Sequence, residues 1–121
     1  MKRKILFVDD DLFSRKVFKF LFEKDYEVSI YENPSQVLEA LEKFTFDLFV
    51  IDIALGTRTD GLEIIRKIRE NERYKNTPVF CLTAHVRSKD ENDALNAGAD
   101  KFIRKPINNN DLKAIIDEAL S

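Results

Sequence analysis

Five short apolar runs punctuate the chain: "KILFV" at 4–8, "EVSIY" at 27–31, "DLFVID" at 47–52, "PVFCLT" at 78–83 and "KFI" at 101–103. Each is the length of a buried strand and is bounded by polar residues. Between them the apolar positions change spacing. Val17 and Leu21, then Val37, Leu38 and Leu41, then Leu62, Ile65 and Ile68, and finally Leu112, Ile115, Ile116 and Ala119 recur at three and four residues. That period predicts helices with one buried stripe. Helix starts are marked as well: Asn33 stands before Pro34 and an "NNND" run before Leu112, each offering a side-chain acceptor to a first turn. The segment 87–97, "RSKDENDALNA", has few apolar residues and predicts the most solvated helix. Strands alternating with helices in so short a chain predict one domain, residues 1–121, of doubly wound parallel α/β type.

Composition narrows the class. Apolar residues at 44% and charged residues at 35% suit a soluble globular domain and argue against disorder or a membrane span. Twenty basic and 22 acidic side chains give a net charge of -2 without a basic block, so direct nucleic-acid binding is not expected. The start "MKRKILF" lacks the long apolar core of a secretory signal, and a cytoplasmic location is expected. The single cysteine, Cys81, lies in an apolar run and reads as a buried small side chain in a reducing compartment.

In a doubly wound sheet the ligand site lies beyond the carboxyl ends of the strands, near the point where strand order reverses. Asp9, Asp10 and Asp11 follow the first run, Asp52 closes the third, Thr83 and Ala84 end the fourth, and Lys105 and Pro106 follow the fifth. Singly, each has an ordinary explanation: an aspartate caps a helix, a threonine suits a strand, a lysine is a solvated charge and a proline shapes a turn. Only one residue caps a helix, and Asp11 is assigned that place, which leaves Asp9 and Asp10 unexplained. Like charges about 4 Å apart repel by about 4 kcal/mol at an effective dielectric near 20, so a cation belongs there. Hard oxygen donors from two strand ends suit Mg²⁺, and a lysine and a hydroxyl across the pocket suit phosphoryl oxygens. The chemistry that fits is phosphoryl transfer onto a carboxylate.

Over essentially its whole length the chain resembles the receiver domains of two-component response regulators. The likeness is carried by Asp9 and Asp10, Asp52, the pair Thr83 and Ala84, the aromatic Phe102, and Lys105 with Pro106, in that order. It implies a flavodoxin-like five-stranded parallel sheet in the order 2-1-3-4-5 with five helices. It also implies that Asp52 is the phosphoacceptor, taking its phosphoryl group from a phosphohistidine on a histidine kinase or histidine phosphotransfer protein. Asp10, assisted by Asp9, with Asp52 and the backbone carbonyl of Ala54, would hold Mg²⁺, for which Mn²⁺ substitutes. Lys105 would pair with phosphoryl oxygens, and Thr83 would donate its hydroxyl past the small Ala84. Phe102 would follow Thr83 in a switch that alters the face formed by the fourth helix, fifth strand and fifth helix. A downstream protein or an output domain in a longer chain would read that face. Pro106 is expected to follow a cis peptide bond.

The chain also departs from the family pattern. After Asp52 it reads "DIALGTRTDG", nine residues to Gly61 and one more than the common spacing, with Leu55 and Gly56 where Met and Pro are usual. Ala54 and His85, two residues beyond Asp52 and Thr83, fall where the family tunes the access of water to the acyl phosphate. For Phe102, plain core packing is an equal reading. On the first helix the apolar arc of Phe13, Val17, Phe18, Phe20, Leu21 and Phe22 is wider than one core stripe needs. It reads as a phenylalanine-rich core, with kinase docking through Leu12, Phe13 or Phe20 as the alternative. A flavin or nucleotide binder is disfavoured because "DDDLF" would repel phosphate without metal, and a dehalogenase-like phosphatase because Ala54 stands where its second acid belongs. The remaining rival is a receiver fold that docks partners without being phosphorylated.

Overall fold

Odd and even residues of the first apolar run go to opposite sides of a sheet, and both sides are buried. Ile5 and Phe7 join one core, and Leu6 and Val8 the other. This explains why the run is continuous rather than alternating. The chain is seen here in a computed structural model, which describes residues 2–52, 58–84 and 88–121, the side chains of 58–60 and 88 excepted.

The order of elements is β1 (Lys4–Val8), α1 (Leu12–Phe22), β2 (Glu27–Tyr31), α2 (Pro34–Lys43), β3 (Leu48–Ile51), α3 (Arg58–Glu70), β4 (Val79–Thr83), α4 (Ser88–Ala97), β5 (Lys101–Arg104) and α5 (Asn109–Ala119). All strand pairs are parallel, in the order β2-β1-β3-β4-β5, as the resemblance implied. Strand order therefore reverses between β1 and β3. Helices α1 and α5 cover one face, where Phe18, Phe22, Leu112 and Ile116 meet the odd residues of β1. The other face takes Val37, Leu41, Ile65, Ile68 and Ala94 from α2, α3 and α4.

Local signals account for the helix ends. Asp11 caps α1 by accepting from the Ser14 amide, Asn33 caps α2 with Pro34 in the first turn, and Asn108 caps α5. A short 3-10 turn, Glu72–Tyr74, had no sequence signal; Asn71 caps it and its Tyr74 is buried edge-on against Phe49. The phenylalanine-rich reading of α1 needs correction. Phe18 and Phe22, four residues apart, are buried, but Leu12, Phe13 and Phe20 are 56%, 74% and 79% exposed. Phe13 and Phe20 are seven residues apart and so share a face that the sheet does not cover.

The amino end of the sheet is held by polar groups with well-defined partners. Asp47 accepts from the Lys4 amide at 2.8 Å, while its own amide donates to Lys4 at 2.7 Å. Asp100 accepts from the Val79 amide and from Arg69, each at 2.8 Å. The Arg69 guanidinium also donates to the carbonyls of Gly98, Tyr74 and Thr77 at 2.9, 2.9 and 2.7 Å. One side chain thus ties α3 to the approaches of β4 and β5. Gly98, with φ of +122°, is required there: a Cβ would lie 2.5 Å from Arg69 Cγ.

Candidate functional site

At the opposite end of the sheet the strands deliver acids. Val8 and Ile51 are register partners, and the Asp52 amide continues the ladder to the Val8 carbonyl at 3.1 Å, so the residues after β1 and β3 must be neighbours. One carboxylate oxygen from each of Asp9, Asp10 and Asp52 lies within 4.8 Å of the others. Asp9 and Asp52 are buried, and Asp10 is exposed. At that separation two unit charges repel by about 3 kcal/mol at an effective dielectric near 20.

Lys105 is the cation already present. Its ammonium bonds Asp9 Oδ2 at 2.5 Å and stands 3.9 Å from Asp52 Oδ2. The position follows from the sheet: the Lys105 amide donates to the Thr83 carbonyl at 2.9 Å, just past the end of β5, and the Lys105–Pro106 peptide is cis, as expected. Thr83 is buried at the end of β4, and Ala84 follows it on the pocket wall. The pocket, of about 420 Å³, is bounded by the four aspartates, Ser14, Ala84 and Lys105. Among the described residues, three carboxylates thus gather beside one ammonium.

Each acid is held differently. Asp9 is fully engaged: its amide donates to the Tyr31 carbonyl, its Oδ1 accepts from the Asp11 amide, its Oδ2 from Lys105, and its carbonyl from Arg15 Nη1 at 2.9 Å. Asp11, the cap, also lines the pocket but is bonded within the first turn of α1, where bonds from the Ser14 hydroxyl and then the Ser14 amide hold its carboxyl below the usual range. Asp10, exposed beside them, is the acid best placed to meet an incoming ion.

The structure thus gathers Asp9, Asp10, Asp52, Thr83, Ala84 and Lys105 at one edge. Phe102 is half-buried and packs on the α2–α4 side of the sheet, outside that pocket. Ala54, Gly56 and His85 lie outside the described residues. Burial, with the negative charge of Asp52 adding to it, pushes the Cys81 thiol up to about 12, in line with an inert core residue. Sequence reasoning missed Ser14 and Arg15. A signal existed, because Cα–Cβ bonds in a helix tilt toward its amino end, so first-turn side chains reach back to the preceding loop.

Beside the acid pocket, and sharing Ser14, Ala84 and Lys105 with it, runs an apolar groove of about 430 Å³ between α1 and the start of α5. Phe13, Val17 and Leu21 form one wall, and Ile107 and Leu112 the other.

Fold and site together define a class of protein, the doubly wound parallel α/β domains with an acid cluster at the carboxyl edge of the sheet. The response regulator receiver domain model matches residues 5–117, and the chain belongs to that family. It is 31% identical over 115 residues to an uncharacterised protein of Leptolyngbya boryana, covering 94% of this chain and 87% of that one. It is 34% identical to the nisin biosynthesis regulatory protein NisR of Lactococcus lactis, covering 97% of this chain but only 50% of the relative. Among solved structures, a CheY-like receiver domain protein from Methanospirillum hungatei superposes with a TM-score of 0.90 at 31% identity, covering 99% of this chain and 94% of that one. The receiver domain of the sensor histidine kinase PA1611 from Pseudomonas aeruginosa, which has a magnesium ion coordinated in its active-site cleft, matches end to end with a TM-score of 0.88 at 25% identity. Among the described residues, no helix is long and apolar enough to cross a membrane.

Proposed function

We propose that Asp52 accepts a phosphoryl group from a phosphohistidine on a histidine kinase or histidine phosphotransfer protein. An Asp52 carboxylate oxygen attacks phosphorus, the phosphorus–nitrogen bond breaks, and its electron pair leaves on the imidazole. The observation that carries this reading is the meeting of three carboxylates from two adjacent strand ends with a lysine in reach of two of them. Asp10, Asp9, Asp52 and, as the family resemblance implies, the Ala54 carbonyl would hold Mg²⁺ or Mn²⁺, an all-oxygen set that fits a hard cation. The metal supplies charge neutralisation for an anion that must approach other anions.

The chain's own residues do the rest. Lys105, bonded to Asp9 and 3.9 Å from Asp52, moves from Asp9 onto phosphoryl oxygens. Thr83 donates its hydroxyl to the same group. Phe102 follows Thr83, and the α4–β5–α5 face changes for a downstream protein or an output domain. Phosphorylation acts by biasing two states a few kcal/mol apart. The exposed Phe13 and Phe20 of α1 offer the donor protein a docking face.

Intact mass after incubation with Mg²⁺ and acetyl phosphate tests the reading. One phosphoryl mass is expected, lost with chelator and in Asp52→Ala. No gain from acetyl phosphate or phosphoramidate would instead favour the docking module that works unphosphorylated.

A further inference from the structure

The acid loop is gripped from the first turn of α1 by a side chain bonded to a backbone carbonyl of the loop and paired with a glutamate outside the pocket. Arg15 donates from Nη1 to the carbonyl oxygen of Asp9 at 2.9 Å, and its Nη2 stands 3.5 Å from Glu32 Oε2, at the start of the β2–α2 connection. The guanidinium is largely buried, with 16% of the side chain exposed. That carbonyl belongs to the peptide joining Asp9 to Asp10, so its orientation sets where the Asp10 backbone, and with it the exposed carboxylate, begins. Glu32 is fixed in turn, its amide donating to Gln36 Oε1 at 2.8 Å. The result is a brace from α2 through Glu32 and Arg15 to the one peptide between the two adjacent acids.

We infer that Arg15 is a positioning residue of the cation site, aiming Asp10 through the Asp9 carbonyl. The inference rests on the metal-binding reading of Asp9, Asp10 and Asp52. Two effects of the guanidinium oppose each other, which makes the inference decidable. As a positive charge near the acids, Arg15 weakens cation binding, so its removal should tighten it. As a brace, it lowers the cost of holding Asp10 in place, so its removal should loosen binding; groups that orient metal ligands are typically worth about ten- to a hundredfold in affinity.

The experiment is calorimetric titration of the metal-free protein with Mg²⁺ alone, backed by Mn²⁺ titration followed by electron paramagnetic resonance, with no phosphodonor present. The wild type is compared with Arg15→Met, which keeps the stem and loses the donors, with Arg15→Lys, which keeps a donor and the charge, and with Glu32→Gln, which loosens the far anchor. The expected result is a dissociation constant about tenfold higher in Arg15→Met, substantial recovery in Arg15→Lys and a smaller loss in Glu32→Gln. In the metal-free state the Asp10 amide resonance should broaden or shift in Arg15→Met. Should Arg15→Met not fold, Arg15→Lys and Glu32→Gln still decide the matter by their ordering against the wild type. Equal or tighter binding in Arg15→Met, or in Glu32→Gln should Arg15→Met not fold, overturns the inference while leaving the metal site standing. A wild type that binds neither Mg²⁺ nor Mn²⁺ overturns the metal reading and the inference with it.

Discussion

The two ends of the sheet use the same residue type to opposite ends. At the amino end Asp47 and Asp100 accept backbone amides of β1 and β4, and Asp100 is also paired with Arg69. At the carboxyl end Asp9, Asp10 and Asp52 share one lysine within bonding distance of their pocket. Among the described residues, one end pairs its carboxylates with amides and a guanidinium, and the other brings three carboxylates together beside one lysine. Stability resides in the first arrangement and reactivity in the second. On the proposed function, gathering like charge at one edge suits a site that receives a cation and a phosphoryl group, and the well-packed remainder of the molecule offsets its cost.

The comparison makes unequal predictions for the two ends. The largest effect is expected at the amino end: Arg69→Ala removes donors to three carbonyls and a carboxylate, and should cost about 3 kcal/mol in urea unfolding. Whatever fraction remains folded should still take phosphate from acetyl phosphate at the wild-type rate. A variant as stable as the wild type would mean that the brace at that end is not needed. The smallest stability effect is expected on α1, where Phe20→Ala removes a ring that is 79% exposed. Unfolding should shift by less than about 0.5 kcal/mol, while transfer from a phosphohistidine donor slows and transfer from acetyl phosphate does not. Unchanged transfer from the protein donor would remove Phe20 from the docking face.

Much of this was legible in the sequence. The runs at 4–8 and 27–31 coincide with β1 and β2; β1, buried on both faces, is written as an uninterrupted apolar stretch, whereas β2 is a half-buried edge strand interrupted by Ser29. The acids at the strand ends were legible for a topological reason: once the sheet is parallel and doubly wound, residues following its strands must meet at one edge. The exposed phenylalanines of α1 were misread because residue type alone does not say which side of a helix the sheet covers. Arg69 and Arg15 were harder to read for a different reason. Both act on backbone carbonyls, which every residue carries, so nothing in the sequence of the partner announces the contact.

The central proposal is that Asp9, Asp10 and Asp52 at the carboxyl end of the sheet form a cation site, and urea unfolding of the wild type and Asp52→Asn, each with and without Mg²⁺, tests it most directly. Without metal, Asp52→Asn should be the more stable protein, by about 1 kcal/mol, because a buried negative charge leaves a like-charged pocket. With Mg²⁺ at ten times its dissociation constant the wild type should gain about 1.4 kcal/mol and Asp52→Asn much less. A metal-free Asp52→Asn that is less stable than the wild type, together with equal gains from Mg²⁺ in both, would contradict the account.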